Sequence, residues 1–397
     1  MNTKEIAKNI FYVGVNDRQK ALFENLWPLP TGVSYNSYLI LDEKNVLIDT
    51  VDVCYSDMFL KKIEEILAGR SLDYLIINHM EPDHAGSIRL LRQLYPQVQI
   101  VGNAKTFDML KGYHGITDGL YEVKDSDTLD TGSRKLSFHT APMVHWIEVM
   151  FTYDPKEKIL FSADAFGTFG ALNGGIIDKD TNINPYKEEI VRYYANIVGK
   201  YGNFVQKTMQ KVSALDFKTV CSAHGPVWRQ HLPEAVALYN HLSRYEAEEG
   251  VTVIYGSMYG NTEQMADIIA CSLSENGIKN IVVHNVSKSH ASYMLADIFK
   301  YKGLIIGSPT YCNQLYPEIE SLLSKIEIRE VRNRLFGYFG SYSWAGAAVK
   351  KLSSFAEKMN WEVVAPPVEL RQGLLSESEE GCCALGKAMA DSLTGKK

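Results

Sequence analysis

The stretch that most constrains this chain is Asn78-His79-Met80-Glu81-Pro82-Asp83-His84, which follows directly on the apolar run Tyr74-Leu75-Ile76-Ile77. An apolar strand ending in H-x-E-x-D-H puts four Lewis bases (His79, Glu81, Asp83 and His84) into one short loop, within reach of two metal ions. Three further candidates follow strand-like runs: His145 in Ala-Pro-Met-Val-His-Trp146, Asp164 in Phe161-Ser-Ala-Asp-Ala-Phe-Gly167, and His224 in Cys221-Ser-Ala-His-Gly-Pro226. Strand ends on a rigid sheet hold ligands well. Seven nitrogen and oxygen donors exceed the needs of one ion and match two ions sharing a carboxylate, for which Asp164, standing alone, is the natural bridge. Imidazoles and carboxylates without thiolate suit iron or manganese, with zinc also open. Singly, the residues have plain readings: Asp83 as a helix cap, His224-Gly225 as a turn. The other six histidines have no supporting motif and read as surface or structural.

The N-terminal half mixes strands and helices. Residues 37–49 read as a hairpin, 56–68 and 88–95 as helices, and 74–78, 98–102, 134–140, 148–153 and 158–162 as strands. A long amphipathic helix is expected over about 186–212. This pattern suggests a two-sheet α/β sandwich. The polar segment Arg244-Tyr-Glu-Ala-Glu-Glu-Gly250 is the best boundary, giving domains 1–249 and 250–397. Beyond it strands at 251–255, 280–284, 303–307, 335–340 and 361–365 alternate with helices at 263–276, 292–300, 317–327 and 346–359. That spacing predicts a doubly wound, flavodoxin-like, five-stranded parallel sheet.

The strand at 251–255 runs into Gly256-Ser257-Met258-Tyr259-Gly260-Asn261-Thr262, then a helix. Backbone N–H groups and the Ser257 and Thr262 hydroxyls at such a turn suit a phosphate, helped by the helix dipole. The loop has no lysine, so it is not a nucleoside-triphosphate P-loop. Two more loops follow consecutive parallel strands: Pro309, Thr310, Tyr311 and Asn313, then Ser341, Tyr342, Ser343, Trp344 and Gly346. Ligands bind at such strand ends, and Tyr311 and Trp344 offer faces to an isoalloxazine ring. The phosphate loop without G-x-G-x-x-G favours FMN over FAD or NAD.

Composition closes off other classes. Over 397 residues, 46% are hydrophobic, 22% are charged and the net charge is −6, so a basic field for nucleic acid is absent. No apolar run reaches about 18 residues, so no transmembrane helix is expected, and the N-terminus lacks a secretory h-region. Six scattered cysteines without C-x-x-C point to a reducing cytoplasm. The vicinal Cys382-Cys383 reads as a pair of ordinary thiols, since neighbours bridge poorly.

With these motifs in order, the chain closely resembles the flavodiiron proteins, also called A-type flavoproteins, over nearly its whole length. The resemblance implies a metallo-β-lactamase-like domain followed by a flavodoxin-like domain. It implies two non-haem irons: His79, Glu81 and His145 on one, Asp83, His84 and His224 on the other, Asp164 bridging. The three loops match the family's FMN-binding loops. The implied reaction is reduction of O2 to water or of NO to N2O, with FMN relaying electrons from an external rubredoxin, since the chain stops soon after the flavodoxin part. A head-to-tail homodimer, or a dimer of dimers, is implied because the two cofactors lie in separate domains. Tyr193-Tyr194 resembles a family segment near the irons, with Tyr194 given the pocket role. Two departures stand out: His145-Trp146-Ile147-Glu148 where many relatives read H-W-P-D, and Thr168-Phe169 where some carry Gln-His. The rival reading is a binuclear zinc hydrolase carrying an electron-transfer flavodoxin domain. Those hydrolases use H-x-H-x-D-H, and Glu81 in place of the second histidine argues for a harder, ferric ion.

Overall fold

A computed structural model describes residues 3–395, which cluster into two compact units divided between Ser243 and Arg244. The first unit is built on two sheets. One runs in the order Lys4–Ala7, Ile10–Tyr12, Tyr38–Ile40, Val46–Ile48, Tyr74–Ile76, Gln99–Gly102, Leu120–Glu122. Its first pairings are antiparallel and its last three are parallel. The expected hairpin is the Tyr38–Ile40 and Val46–Ile48 pair. The second sheet runs Thr128–Asp130, Lys135–Thr140, Met150–Asp154, Ile159–Phe161, Thr219–Cys221, antiparallel until the last, parallel pair. The inner faces meet through apolar rings: Tyr38 and Phe161 lie with centroids 5.3 Å apart. The Tyr38 hydroxyl also donates to the Ser222 carbonyl at 3.0 Å, which satisfies a polar group the core would otherwise strand.

The single helix expected over 186–212 is broken. An α-helix spans Asn184–Tyr193, a π-helical turn Tyr194–Val198, a 3-10 turn Gly199–Tyr201, and a second α-helix Gly202–Val212. The apolar pattern runs straight through, so periodicity alone reads one helix; the widened turn is a tertiary choice of the kind common beside functional sites.

The second unit holds the expected parallel sheet, ordered Ile281–Asn285, Glu248–Tyr255, Tyr301–Pro309, Leu335–Tyr342. Its fifth position departs from the expected strand at 361–365. Two short segments, Glu362–Val363 and Val368–Arg371, both pair in parallel with Leu335–Tyr342. Pro366 and Pro367 lie between them and lack the N–H groups a continuous ladder needs. A closing helix, Ser376–Thr394, went unread in the sequence. It packs on Asn261–Glu275 so closely that a Cβ on Gly386 would sit 2.7 Å from Ser272 Cβ. Leu385 and Met389 on its inner face join Val251, Val253, Ile305 and Phe339 in the core. Cys382 is buried and Cys383 exposed on this helix. Among the described residues no helix is long and apolar enough to cross a membrane.

Candidate metal centre and flavin pocket

All seven metal-ligand candidates converge at one rim of the sandwich. Tyr74–Ile76 leads from the first sheet into the H-x-E-x-D-H loop. His145 lies between Lys135–Thr140 and Met150–Asp154, Asp164 follows Ile159–Phe161, and His224 follows Thr219–Cys221. Pro82 divides the loop's ligands. The residue before a proline is biased to extended geometry, and Glu81 has φ −59°, ψ 142° before the one-turn helix Pro82–Ala85. Glu81 therefore turns back to His79, while Asp83 and His84 go forward. At the His224 turn, Gly225 has φ +77°, and a Cβ there would lie 2.1 Å from the Thr168 hydroxyl.

The donors fall into two sets, His79, Glu81, His145 and Asp164, and Asp83, His84 and His224, the donor atoms of each within 4.8 Å of one another. Asp164 faces both. Its Oδ2 lies 3.0 Å from His145 Nε2 and 3.4 Å from His79 Nε2, while its Oδ1 lies 3.1 Å from His84 Nε2 and 3.4 Å from His224 Nε2. Glu81 Oε2 lies 3.2 Å from His79 Nε2 and 3.1 Å from His145 Nε2. Asp83 approaches His84 and His224 at 3.5 and 3.4 Å. All four imidazoles thus present Nε2.

Two of the rings are oriented from behind. His79 Nδ1 lies 2.7 Å from Glu148 Oε1, and the same oxygen accepts the Met80 N–H at 2.9 Å. His224 Nδ1 lies 2.7 Å from the Ser34 carbonyl. Asp49 accepts the backbone N–H groups of Asn78 and His79 at 2.7 and 3.2 Å. Both oxygens of Asp83, both nitrogens of His84, Asp164 Oδ1 and His224 Nε2 are buried without a hydrogen-bond partner. A fully unpaired buried atom costs about 1–3 kcal/mol; here facing opposite charges offset part of that cost, without hydrogen bonds of good geometry. Two cations fit this donor set; at His84 it is Nε2, beside Asp83 and Asp164, that would engage one.

The charges respond to burial and to one another. Burial lowers the histidines, yet Asp164 holds His79 well above its ordinary value. Against the same burial, the carboxylates lift His84 and His145 to about 9. Burial raises Asp164 too, but the facing imidazoles hold it well below the usual carboxylate range. Asp83 is pushed up to about 7 by burial, and His224 down to about 4. Without cations, these shifts favour protonated His79, His84 and His145 beside an ionised Asp164.

The flavin candidates form a pocket of about 510 Å³ in the second unit, at the carboxyl ends of Glu248–Tyr255, Tyr301–Pro309 and Leu335–Tyr342. The 15-residue helix Asn261–Glu275 starts at its floor, after Gly260 with φ +96°. Ser257 Oγ accepts the Gly260 N–H at 3.1 Å, and Thr262 Oγ1 lies 2.9 Å from Ser341 Oγ. Thr310 Oγ1 accepts the N–H groups of Ala347 and Ala348 at 3.0 and 3.2 Å, joining the second and third loops. Tyr259 and Trp344 stand 92% and 86% exposed at the rim, large rings with little protein to cover them.

The model of the ODP family of beta lactamases matches residues 33–225, and that of flavodoxin matches residues 253–386. The chain is 33% identical over 364 residues to the anaerobic nitric oxide reductase flavorubredoxin of Escherichia coli, covering 90% of this chain and 76% of that protein. Among solved structures, rubredoxin oxygen:oxidoreductase from Desulfovibrio gigas superposes with TM-score 0.95 at 27% identity, covering 100% of this chain and 99% of that one. The flavodiiron protein from Giardia intestinalis gives 0.95 at 25%, covering 100% and 97%. The chain is a flavodiiron protein.

In this flavodiiron protein the metal candidates all meet, while the flavin candidates meet with adjustments. Gly260 and Gly346 shape the loops without lining the pocket, and Cys312, Ala345 and Gln372 line it. Gln372 comes from the split fifth position, beyond the three loops, and its amide reaches the Ser343 carbonyl at 3.3 Å; no local motif marks it. Tyr194 packs edge-on to Tyr239, centroids 5.1 Å apart. Its neighbour Tyr193 is the one against the ligands: its ring lies 5.5 Å from that of His224. The Tyr193 hydroxyl is buried without a partner, and burial beside Asp164, Glu81 and Asp83 holds it well above its ordinary value. Phe23, on the short Leu22–Phe23 and Trp27–Pro28 ribbon, meets His224 and Tyr193 at 5.3 and 6.1 Å.

Proposed function

We propose that this chain is an oxidoreductase that reduces dioxygen, nitric oxide or both at a di-iron centre held by the seven-residue cluster, with electrons relayed by FMN in the 244–397 unit. The balances are O2 + 4e⁻ + 4H⁺ → 2H2O and 2NO + 2e⁻ + 2H⁺ → N2O + H2O. The observation that carries the reading is Asp164, one oxygen turned to each donor set. His79, Glu81 and His145 would hold one iron, and Asp83, His84 and His224 the other. The names of the relatives, a nitric oxide reductase and a rubredoxin:oxygen oxidoreductase, support the reaction class.

When bound, iron supplies reducing electrons and Lewis acidity. The chain's own residues do the rest. Glu148 and the Ser34 carbonyl orient His79 and His224 so that Nε2 faces the centre. Phe23, Phe169 and Tyr193 pack against one another and exclude bulk water from the His224 side. The buried Tyr193 phenol keeps its proton and is a donor for a small bound molecule. In the second unit Ser257, Thr262 and the helix N-terminus would take the FMN phosphate, with Tyr311 and Trp344 beside the ring system.

The donor in this reading is a reduced rubredoxin, and the working assembly a head-to-tail homodimer or a dimer of dimers that brings one chain's flavin to its partner's irons. The test is direct. Anaerobically loaded protein is reduced through rubredoxin and mixed with each gas, and O2 uptake and N2O formation are followed. Turnover with two irons and one FMN per chain is expected. Retention of zinc alone, with hydrolase activity and no gas consumption, sinks the proposal in favour of the hydrolase. A monomer with full rubredoxin-linked turnover sinks the dimer.

A further inference from the structure

We infer that Glu148 makes the two metal positions unequal, so that the ion held by His79, Glu81 and His145 is bound more tightly and leaves last. The inference rests on the two-ion reading above and adds a residue and an order to it.

Glu148 is fully buried. Its Oε1 takes the His79 Nδ1–H at 2.7 Å and the Met80 N–H at 2.9 Å, and its Oε2 has no hydrogen-bond partner. A carboxylate behind an imidazole fixes the tautomer and makes the other ring nitrogen a stronger donor to a metal. Here that nitrogen is Nε2, the one facing Glu81 and Asp164. The second position has no equivalent. His224 leans on a neutral backbone carbonyl at Ser34, and His84 Nδ1 makes no hydrogen bond.

Charge and mechanics point the same way. Each position has one carboxylate of its own, Glu81 or Asp83, and one oxygen of Asp164; the Asp49 charge acts on both His84 and His79, but only the first position has a carboxylate hydrogen-bonded directly to the back of one of its imidazoles. Glu148 also follows the ligand His145 by three residues, and its carbonyl is fixed by Asn103 Nδ2 at 2.6 Å. It therefore ties two ligands of the same ion, His79 from the first sheet's loop and His145 from the second's. Asp49 pins the other side of that loop through the Asn78 and His79 N–H groups.

The test follows metal release. The full chain is loaded with iron, treated with a chelator until one equivalent is gone, crystallised, and the remaining ion located by anomalous scattering. It is expected at His79, Glu81 and His145. In Glu148→Gln, affinity at that position should fall by about 10–100-fold, equalising or reversing the order of loss, while release from Asp83, His84 and His224 keeps its rate. Glu148→Asp gives the same readout with the charge kept and the reach shortened, should the glutamine variant fold poorly by circular dichroism. Loss of both ions together in the unsubstituted chain, loss from the His79 position first, or unchanged release in both variants overturns the inference. A chain that never takes up two ions overturns the di-iron reading and this inference with it, whereas two ions leaving in the wrong order overturn this inference alone.

Discussion

The metal cluster and the flavin pocket solve opposite problems. At the first, His79, His84, Asp164 and His224 are completely buried, so ionisable groups have been taken out of water and forced to face one another. At the second, Tyr259 and Trp344 stand in solvent above hydroxyls that bond to one another and to the backbone. A buried carboxylate nest is costly until cations enter it. An open aromatic rim costs little when empty and gains only what stacking supplies. The metal centre should therefore be stiff, proton-loaded and strongly stabilised by its ions, and the flavin pocket adaptable and weakly coupled to folding.

The largest effect expected on that contrast comes from Asp164→Ala. Losing the shared carboxylate removes several kcal/mol of interaction at the metals, so turnover should fall roughly 1000-fold with metal content below two ions per chain and FMN content unchanged. Elemental analysis and flavin absorbance read the two sites separately, and equal loss of both cofactors would break the contrast. Compared with protein kept in ions at 100 times their Kd, chelated protein should have its 1–243 unit less stable by about 3 kcal/mol per ion lost. Calorimetry should show its transition moving down while that of the flavin-binding unit stays.

Metal uptake should also strengthen with pH. His84 and His145, lifted to about 9, are protonated in the empty site and must lose those protons to bind. Affinity should climb between about pH 6 and pH 9 with net proton release, measurable by titration in an indicator dye; uptake independent of pH would remove the proton-for-metal exchange. The smallest effect belongs to the rim. Trp344→Ala should weaken FMN by about 0.5–1.5 kcal/mol, the worth of one aromatic contact, or about tenfold at most, and leave metal content and the stability of the first unit untouched. Flavin fluorescence titration gives the value, and a complete loss of FMN would show the ring to be structural.

The sites differ again in how far the sequence exposed them. The metal ligands were legible because a donor must be a histidine or a carboxylate, and a strand end must precede it; H-x-E-x-D-H, His145, Asp164 and His224 carry that signature in plain order. The flavin loops were legible because parallel strands end in small and hydroxyl residues. Gln372 was not, since it arrives on a strand position that two prolines divide. The choice of Tyr193 over Tyr194 was also hidden: both are aromatic, and only the π-helical turn that begins at Tyr194 sets which ring meets His224.

The sequence by itself determined the two-part α/β plan, the seven donors and the phosphate loop, because strand period, turn chemistry and ligand type are local properties. The family resemblance implied how the donors divide, and the tertiary structure groups them so, Asp164 turning one oxygen to each set; what stands behind them only the tertiary structure decided. Glu148, Ser34 and Asp49 reach His79 and His224 from distant parts of the chain. No local pattern records such pairings, since they follow from how two sheets stack and which side chains that stacking leaves without water.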